Sequence, residues 1–138
     1  MKKFLLPVLL LALIALALPA CSSSDNAQPD PSPVITSGSW KVHLFTDSGN
    51  DETSNFTGWT FTFNTNGSVS AIGGGPTASG TWSVRPDDGR TRMKIEFPAT
   101  STLAELNNDW VLTGISTSII ELEDDNASSN EVLHFQKK

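Results

Sequence analysis

From Val34 onward, apolar and polar residues alternate with a period of two, the spacing of a strand that buries one face. Trp40, Val42 and Leu44 alternate with Lys41, His43 and Phe45, and Trp59, Phe61 and Phe63 with Thr60 and Thr62. The pattern recurs at Val69 and Ala71, at Trp82 and Val84, and at Met93, Ile95 and Phe97. It closes with Ile120 and Leu122, then Leu133 and Phe135. Trp110 to Ile115 is apolar at Trp110, Val111, Leu112 and Ile115, so the inward face of that strand is ambiguous. Turn signals separate the runs. Asn66-Gly67 reads as a hairpin turn, because both residues tolerate positive φ. Pro86-Asp87-Asp88-Gly89 reads as a turn in which Pro fixes φ and Gly finishes. Gly73-Gly74-Gly75-Pro76 breaks two further strands. Only Thr102 to Asn107 has helical character, about one turn with Leu103 and Leu106 on one side. Eight short strands joined by hairpins predict an all-β fold, an eight-stranded antiparallel up-and-down barrel that leaves no exposed edge. A two-layer sandwich is the alternative.

The first residues follow another pattern. Met1-Lys2-Lys3 is a basic start, Phe4 to Leu18 is apolar apart from Pro7, and Pro19-Ala20-Cys21 precedes a run of serines. This is a secretory leader, too short for the roughly 20 apolar residues of a spanning helix. Leu18-Pro19-Ala20-Cys21 resembles the lipobox of bacterial lipoproteins, in which the Cys is acylated and the peptide before it removed. The resemblance implies a leader at 1–20, lipid attachment at Cys21, and a cell-envelope protein anchored to a membrane, with the outer membrane favoured. Ser22 to Pro33 holds Pro29, Pro31 and Pro33 and no aromatic residue, so residues 21–33 read as a flexible tether and 34–138 as the domain.

Composition narrows the chemistry. The net charge of −6, over 138 residues, speaks against a nucleic-acid surface. One Cys allows no intramolecular disulfide. His43 and His134 lie on outward faces of the first and last strands with no third ligand in view, so no metal site is assigned. The acidic loops Asp47 to Glu52 and Glu121 to Asn126 lack the spacing of a calcium loop and read as solvated turns. No Gly-x-Ser-x-Gly elbow or positioned carboxylate pair appears, so no catalytic residue and no cofactor are expected. Arg85, Arg90, Arg92 and Lys94 cluster around one hairpin and could meet an acidic partner or a phosphate.

Gly38-Ser39-Trp40 looks like the Gly-x-Trp signature of lipocalins, whose Trp closes the barrel floor. The wider order runs through Gly58-Trp59-Thr60-Phe61-Thr62-Phe63-Asn64, Gly80-Thr81-Trp82 and Asn107-Asn108-Asp109-Trp110 to Leu133-His134-Phe135. It resembles small lipocalin-like lipoproteins of Gram-negative bacteria. The resemblance implies an eight-stranded barrel on a lipid anchor and no known reaction.

An eight-stranded barrel is just wide enough to be filled or to hold one small ligand. The large inward aromatics predict a mostly filled interior. The expected function is a non-enzymatic, monomeric binding module for a small apolar ligand or a glycan, with Trp59, Phe61, Trp82 and Trp110 as candidate ligand residues. The alternative is a scaffold or inhibitor that meets an envelope protein through its loops and outer face. Phe45 and Phe56, read as outward-facing, are the candidate partner contacts.

Overall fold

The computed structural model describes residues 28–138. The leader, the lipobox with Cys21 and the tether up to Ala27 lie outside the described residues. The folded chain is an antiparallel barrel of eight strands with a two-residue stub. Its strands are β1 (Trp40–Asp47), the stub β2 (Asn50–Asp51), β3 (Thr60–Phe63), β4 (Ser68–Ile72), β5 (Ala78–Asp87), β6 (Arg90–Glu96), β7 (Asn108–Ile115), β8 (Ile119–Glu123) and β9 (Val132–Lys137). From β3 to β9 each strand pairs with the next in sequence, as expected for hairpins; β1 pairs with its stub β2 and, at one position, with β3, and β9 returns to β1 from Trp40↔Lys137 to Thr46↔Val132. That pairing closes the barrel and sets the sandwich aside.

Turn residues account for the connections. Asp88 (φ 47°) and Gly89 (φ 77°) make the tight turn between Asp87 and Arg90, with both central residues left-handed. Pro86 is not in that turn; it lies within β5 opposite Thr91. At Asn66-Gly67 only Gly67 takes a positive φ, while the Asn66 side chain accepts a hydrogen bond from the Ser68 N–H at 3.0 Å.

Two bulges settle which faces turn inward. Along β1, Val42 pairs with Phe135 but Leu44 pairs with His134, so His43 is an extra residue on its strand. An extra residue reverses the alternation beyond it. Phe45 therefore turns in, and Leu44 is left half-buried. On β7, Thr113 is the extra residue between Leu112↔Leu122 and Gly114↔Glu121. Trp110 and Leu112 then share the core, with Ile115 packed against it, and the ambiguous strand acquires a definite inner face.

Aromatic side chains fill the interior. Phe135 meets Phe61 at 5.4 Å and Phe63 at 5.5 Å, edge to face, and Phe63 meets Trp82 at 5.6 Å in the same way. Both ends are plugged. At the end where β1 begins, here the floor, the short helix α1 (Ser32–Ile35) inserts a fully buried Ile35. The Ile35 carbonyl accepts the Trp40 indole N–H at 2.8 Å. Pro31 is buried as well, so the folded unit begins before Val34 and the expected tether is shorter at its C-terminal end.

The opposite end, the rim, carries the connections around residues 48–59, 73–77, 97–107 and 124–131. A 3-10 turn at Thr102–Leu106, where helical character was expected, buries Leu103 and Leu106. Its Leu106 carbonyl takes the Trp110 indole N–H at 3.0 Å. Among the described residues no helix is long and apolar enough to cross a membrane.

Candidate functional site

The four candidate ligand aromatics part company in the structure. Phe61 and Trp110 are 1% exposed and spent entirely in the core. Trp82 is buried and donates its indole N–H to the Asn64 carbonyl at 2.9 Å, yet an edge lines a floor groove of about 740 Å³ shared with Asp30, Pro33 and Asn66. A neighbouring floor groove, about 540 Å³, lies between Gln28–Ser32 and the β5–β6 hairpin. Trp59 lines a groove of about 320 Å³ at the rim, between the β4–β5 and β6–β7 connections.

Trp59 owes its position to glycines. A Cβ on Gly74 would lie 2.3 Å from the Trp59 Nε1, so only a glycine lets that loop rest on the indole. Gly73, at φ 103°, crosses Gly58 so closely that a Cβ would come within 2.6 Å of the Gly58 carbonyl oxygen. The Gly73-Gly74-Gly75 run thus does more than break strands: it brings two loops together over an aromatic ring.

Phe45 and Phe56 are not on the outer face. Each is 3% exposed, and their rings meet edge to face at 5.1 Å. The β1 bulge turns Phe45 inward, and the 3-10 turn Thr53–Phe56 folds Phe56 back onto it. Thr53 fixes this return, its hydroxyl accepting the Phe45 N–H at 2.9 Å. Among the described residues the large apolar side chain that is exposed is Ile72, at the rim end of β4. The adjacent apolar pair Leu44-Phe45 was the available signal, since strict alternation forbids it without a bulge.

The arginine cluster is neutralised within the molecule. Arg92, almost fully buried, donates to Asp87 at 2.6 Å and also to Asp125. Arg90 reaches Asp125 at 2.7 Å, and Arg85 reaches Asp109 at 2.6 Å. Lys94 pairs with Glu96 at 3.0 Å. These contacts tie the β8–β9 loop to the β5–β6 hairpin and pair each cation of the cluster with a carboxylate. His134 stands opposite Leu44, with His43 exposed on the bulge. Among the described residues no three His, Cys, Asp or Glu side chains are grouped to hold a metal ion. In the acidic loop Asp51 accepts the Thr53 N–H and Glu52 the Asn55 amide, each at 2.9 Å.

The network makes acid stability depend on opposing groups. The hydrogen bond from Arg92 holds the Asp125 carboxyl below its ordinary 3.8; partial desolvation opposes this, and Arg90 reinforces it. A carboxyl depressed in the fold stabilises above its unfolded value, and that contribution is lost as pH falls through the folded value. Glu131 is the reverse: burial, then Asp124 and Asp47, raise it above 4.5. Its contribution is fully present below 4.5 and is withdrawn as pH rises through the folded value. Asp125→Asn is therefore expected to lower stability at neutral pH and flatten the loss below pH 3.8. Glu131→Gln is expected to stabilise at neutral pH, by about 0.5 kcal/mol or less, with no gain in acid. Urea melts of both variants across pH 2–8, an estimated window around these carboxyls, check the opposite signs; parallel curves would dismiss the assignment.

No family model matches the chain, and no curated protein matches it significantly. Among solved structures, a DUF4847 family protein from Bacteroides vulgatus superposes with a TM-score of 0.57 at 16% identity. The match covers 79% of this chain and 98% of that one. At this identity the likeness speaks to the barrel fold alone.

Proposed function

We propose that this chain is a bacterial envelope lipoprotein whose lipocalin-like barrel is a non-enzymatic binding module, recognising a small ligand or glycan at its rim and outer face. The observation behind this reading is the filled interior: Phe61, Phe63, Phe135 and Trp110 occupy the space a calyx ligand would need. The grooves seen lie outside the interior, at the two ends of the barrel and along the outer side of β5. The long rim connections also suit the second reading, a scaffold that meets an envelope protein through its loops.

Acylated Cys21 would set the orientation. The chain from Cys21 to Gln28 spans at most about 25 Å, so the floor stays close to the lipid, in this reading of the outer membrane, and the rim faces away. Two acyl chains give stable attachment where one does not. Cys21→Ala is expected to move the protein from the membrane fraction to the soluble fraction. Its retention in membranes would refute the lipid anchor. Native mass spectrometry of the detergent-extracted, acylated protein is expected to give the mass of chain plus acyl groups. A further tightly held mass, released only on unfolding, would instead place a ligand inside the barrel.

A further inference from the structure

We propose that the rim groove over Trp59 is a saccharide site that takes a neutral oligosaccharide. This rests on the reading of the chain as a binding module and names the ligand class.

The groove is uncharged although 17% of the chain is charged. Its lining combines Trp59, Pro76 and Pro98 with the hydroxyls of Thr77, Ser79, Thr100 and Thr102. Those four residues are exposed. Ser101, beside them, uses its hydroxyl to cap the Leu103 N–H, whereas the four others face outward to solvent. The groove continues along the outer side of β5 into a trough of about 500 Å³ that shares Ser79 and Pro98 and adds Thr81 and Asn107. The two segments share a wall at Ser79 and Pro98, so a chain of sugars can run from one into the other.

The chemistry selects among ligands. No cation lines the groove, and the arginines of the β5–β6 hairpin lie toward the floor and are held by Asp87, Asp109 and Asp125, so an anion has nothing to bind at the rim groove. Glu96, the one charge of the adjoining trough, is paired with Lys94, so a cation gains little there. A wholly apolar ligand would strip water from hydroxyls and leave them unpaired, at about 1–3 kcal/mol each. A neutral sugar avoids all three penalties. Its hydroxyls donate and accept, as Ser and Thr hydroxyls do. Its C–H faces can lie on the exposed rings of Pro76 and Pro98, above the edge that Trp59, 6% exposed, presents at the base of the groove.

The walls are held rigid before any ligand arrives. Asn107 clamps Phe97 from both sides, accepting its N–H at 2.6 Å and donating to its carbonyl at 2.8 Å. Gly80 lets β5 lie against the Glu96 carbonyl, and Gly74 rests on Trp59. A preorganised groove loses less affinity to ordering. The floor grooves differ: Asp30 lines both, and Arg85 and Arg90 line the one beside the β5–β6 hairpin.

The test is calorimetric titration of the full mature protein with chitotetraose, maltotetraose and cellotetraose, with inorganic phosphate and laurate as contrasting probes. At least one neutral tetrasaccharide is expected to bind, and phosphate not at all. Ser79→Arg and Thr102→Arg, both at exposed positions, are expected to weaken that binding at least tenfold with unchanged melting temperature. Binding that resists both substitutions but is lost in Ser83→Arg, beside the floor groove, would overturn this site while leaving the module reading intact. Binding of laurate and of no tetrasaccharide would overturn the saccharide assignment alone. The membrane-fraction result for Cys21→Ala bears only on the anchor, so the two failures are separable.

Discussion

Trp40→Ala is expected to destabilise the protein by about 3–5 kcal/mol, the cost of emptying a large buried aromatic site. Trp40 is wholly buried and stands at the closure of the barrel, paired with Lys137 of β9 on one side and Phe61 of β3 on the other. That single pair is all the ladder between β1 and β3. The indole N–H also holds the Ile35 carbonyl, and so keeps the floor plug in place. The Lys137 ammonium lies 5.3 Å from the ring centroid, on its face. Removal of the ring thus opens a cavity, frees a seam and unfastens the plug together. Trp40→Phe separates these effects. It keeps most of the apolar volume and leaves the Ile35 carbonyl without its donor, a loss of about 1–3 kcal/mol. Urea denaturation followed by circular dichroism gives both values. An unchanged midpoint for Trp40→Ala would mean that the ring does not pack where the barrel closes.

Gly80→Ala is the second large effect, at about 2–3 kcal/mol for a single added methyl. Gly80 does not need a left-handed backbone. Its role is space: a Cβ there would lie 2.4 Å from the Glu96 carbonyl oxygen and 2.9 Å from the Phe97 ring. The carbonyl belongs to the strand partner at Thr81↔Glu96, so it cannot retreat without loosening the β5–β6 ladder. Gly89→Ala is the contrast, because nothing lies within 4 Å of a Cβ there and only its positive φ is strained. A cost for Gly80→Ala no larger than that of Gly89→Ala would show that the two strands do not approach as closely as described.

Much of the barrel was legible because alternation reports burial directly. Trp40, Phe61, Trp82, Ile95 and Phe135 announced their inner faces by period alone, and all lie in the core. Phe45 escaped because a bulge changes phase without changing composition: His43 looks like any other outward residue of a strand. Phe56 escaped for a different reason. Its burial comes from a loop folding back, and local period carries no information about a return of that kind. The arginine cluster was visible as positive charge, but its neutralisation depends on Asp109 and Asp125, distant in sequence from Arg85 and Arg92. The rim groove was visible only through Trp59. Its other walls, Pro98 and Thr102, come from a connection whose position is fixed by Asn107, and nothing in the residue order foretells that clamp.

The return of β9 to β1 has a consequence for how this chain reaches its native state. Lys137 touches Ser37 across a separation of 100 residues, and the ladder beside that contact joins the first strand to the last. Until β9 has emerged, β1 holds only its single pair with β3 and the short hairpin to β2. Search over so long a loop is slow, and proteins dominated by such non-local pairings fold in milliseconds to seconds. A nascent chain would therefore stay open while its later strands were being made. Under the envelope reading proposed above, such delayed closure would keep the chain open for threading through a membrane before it folds.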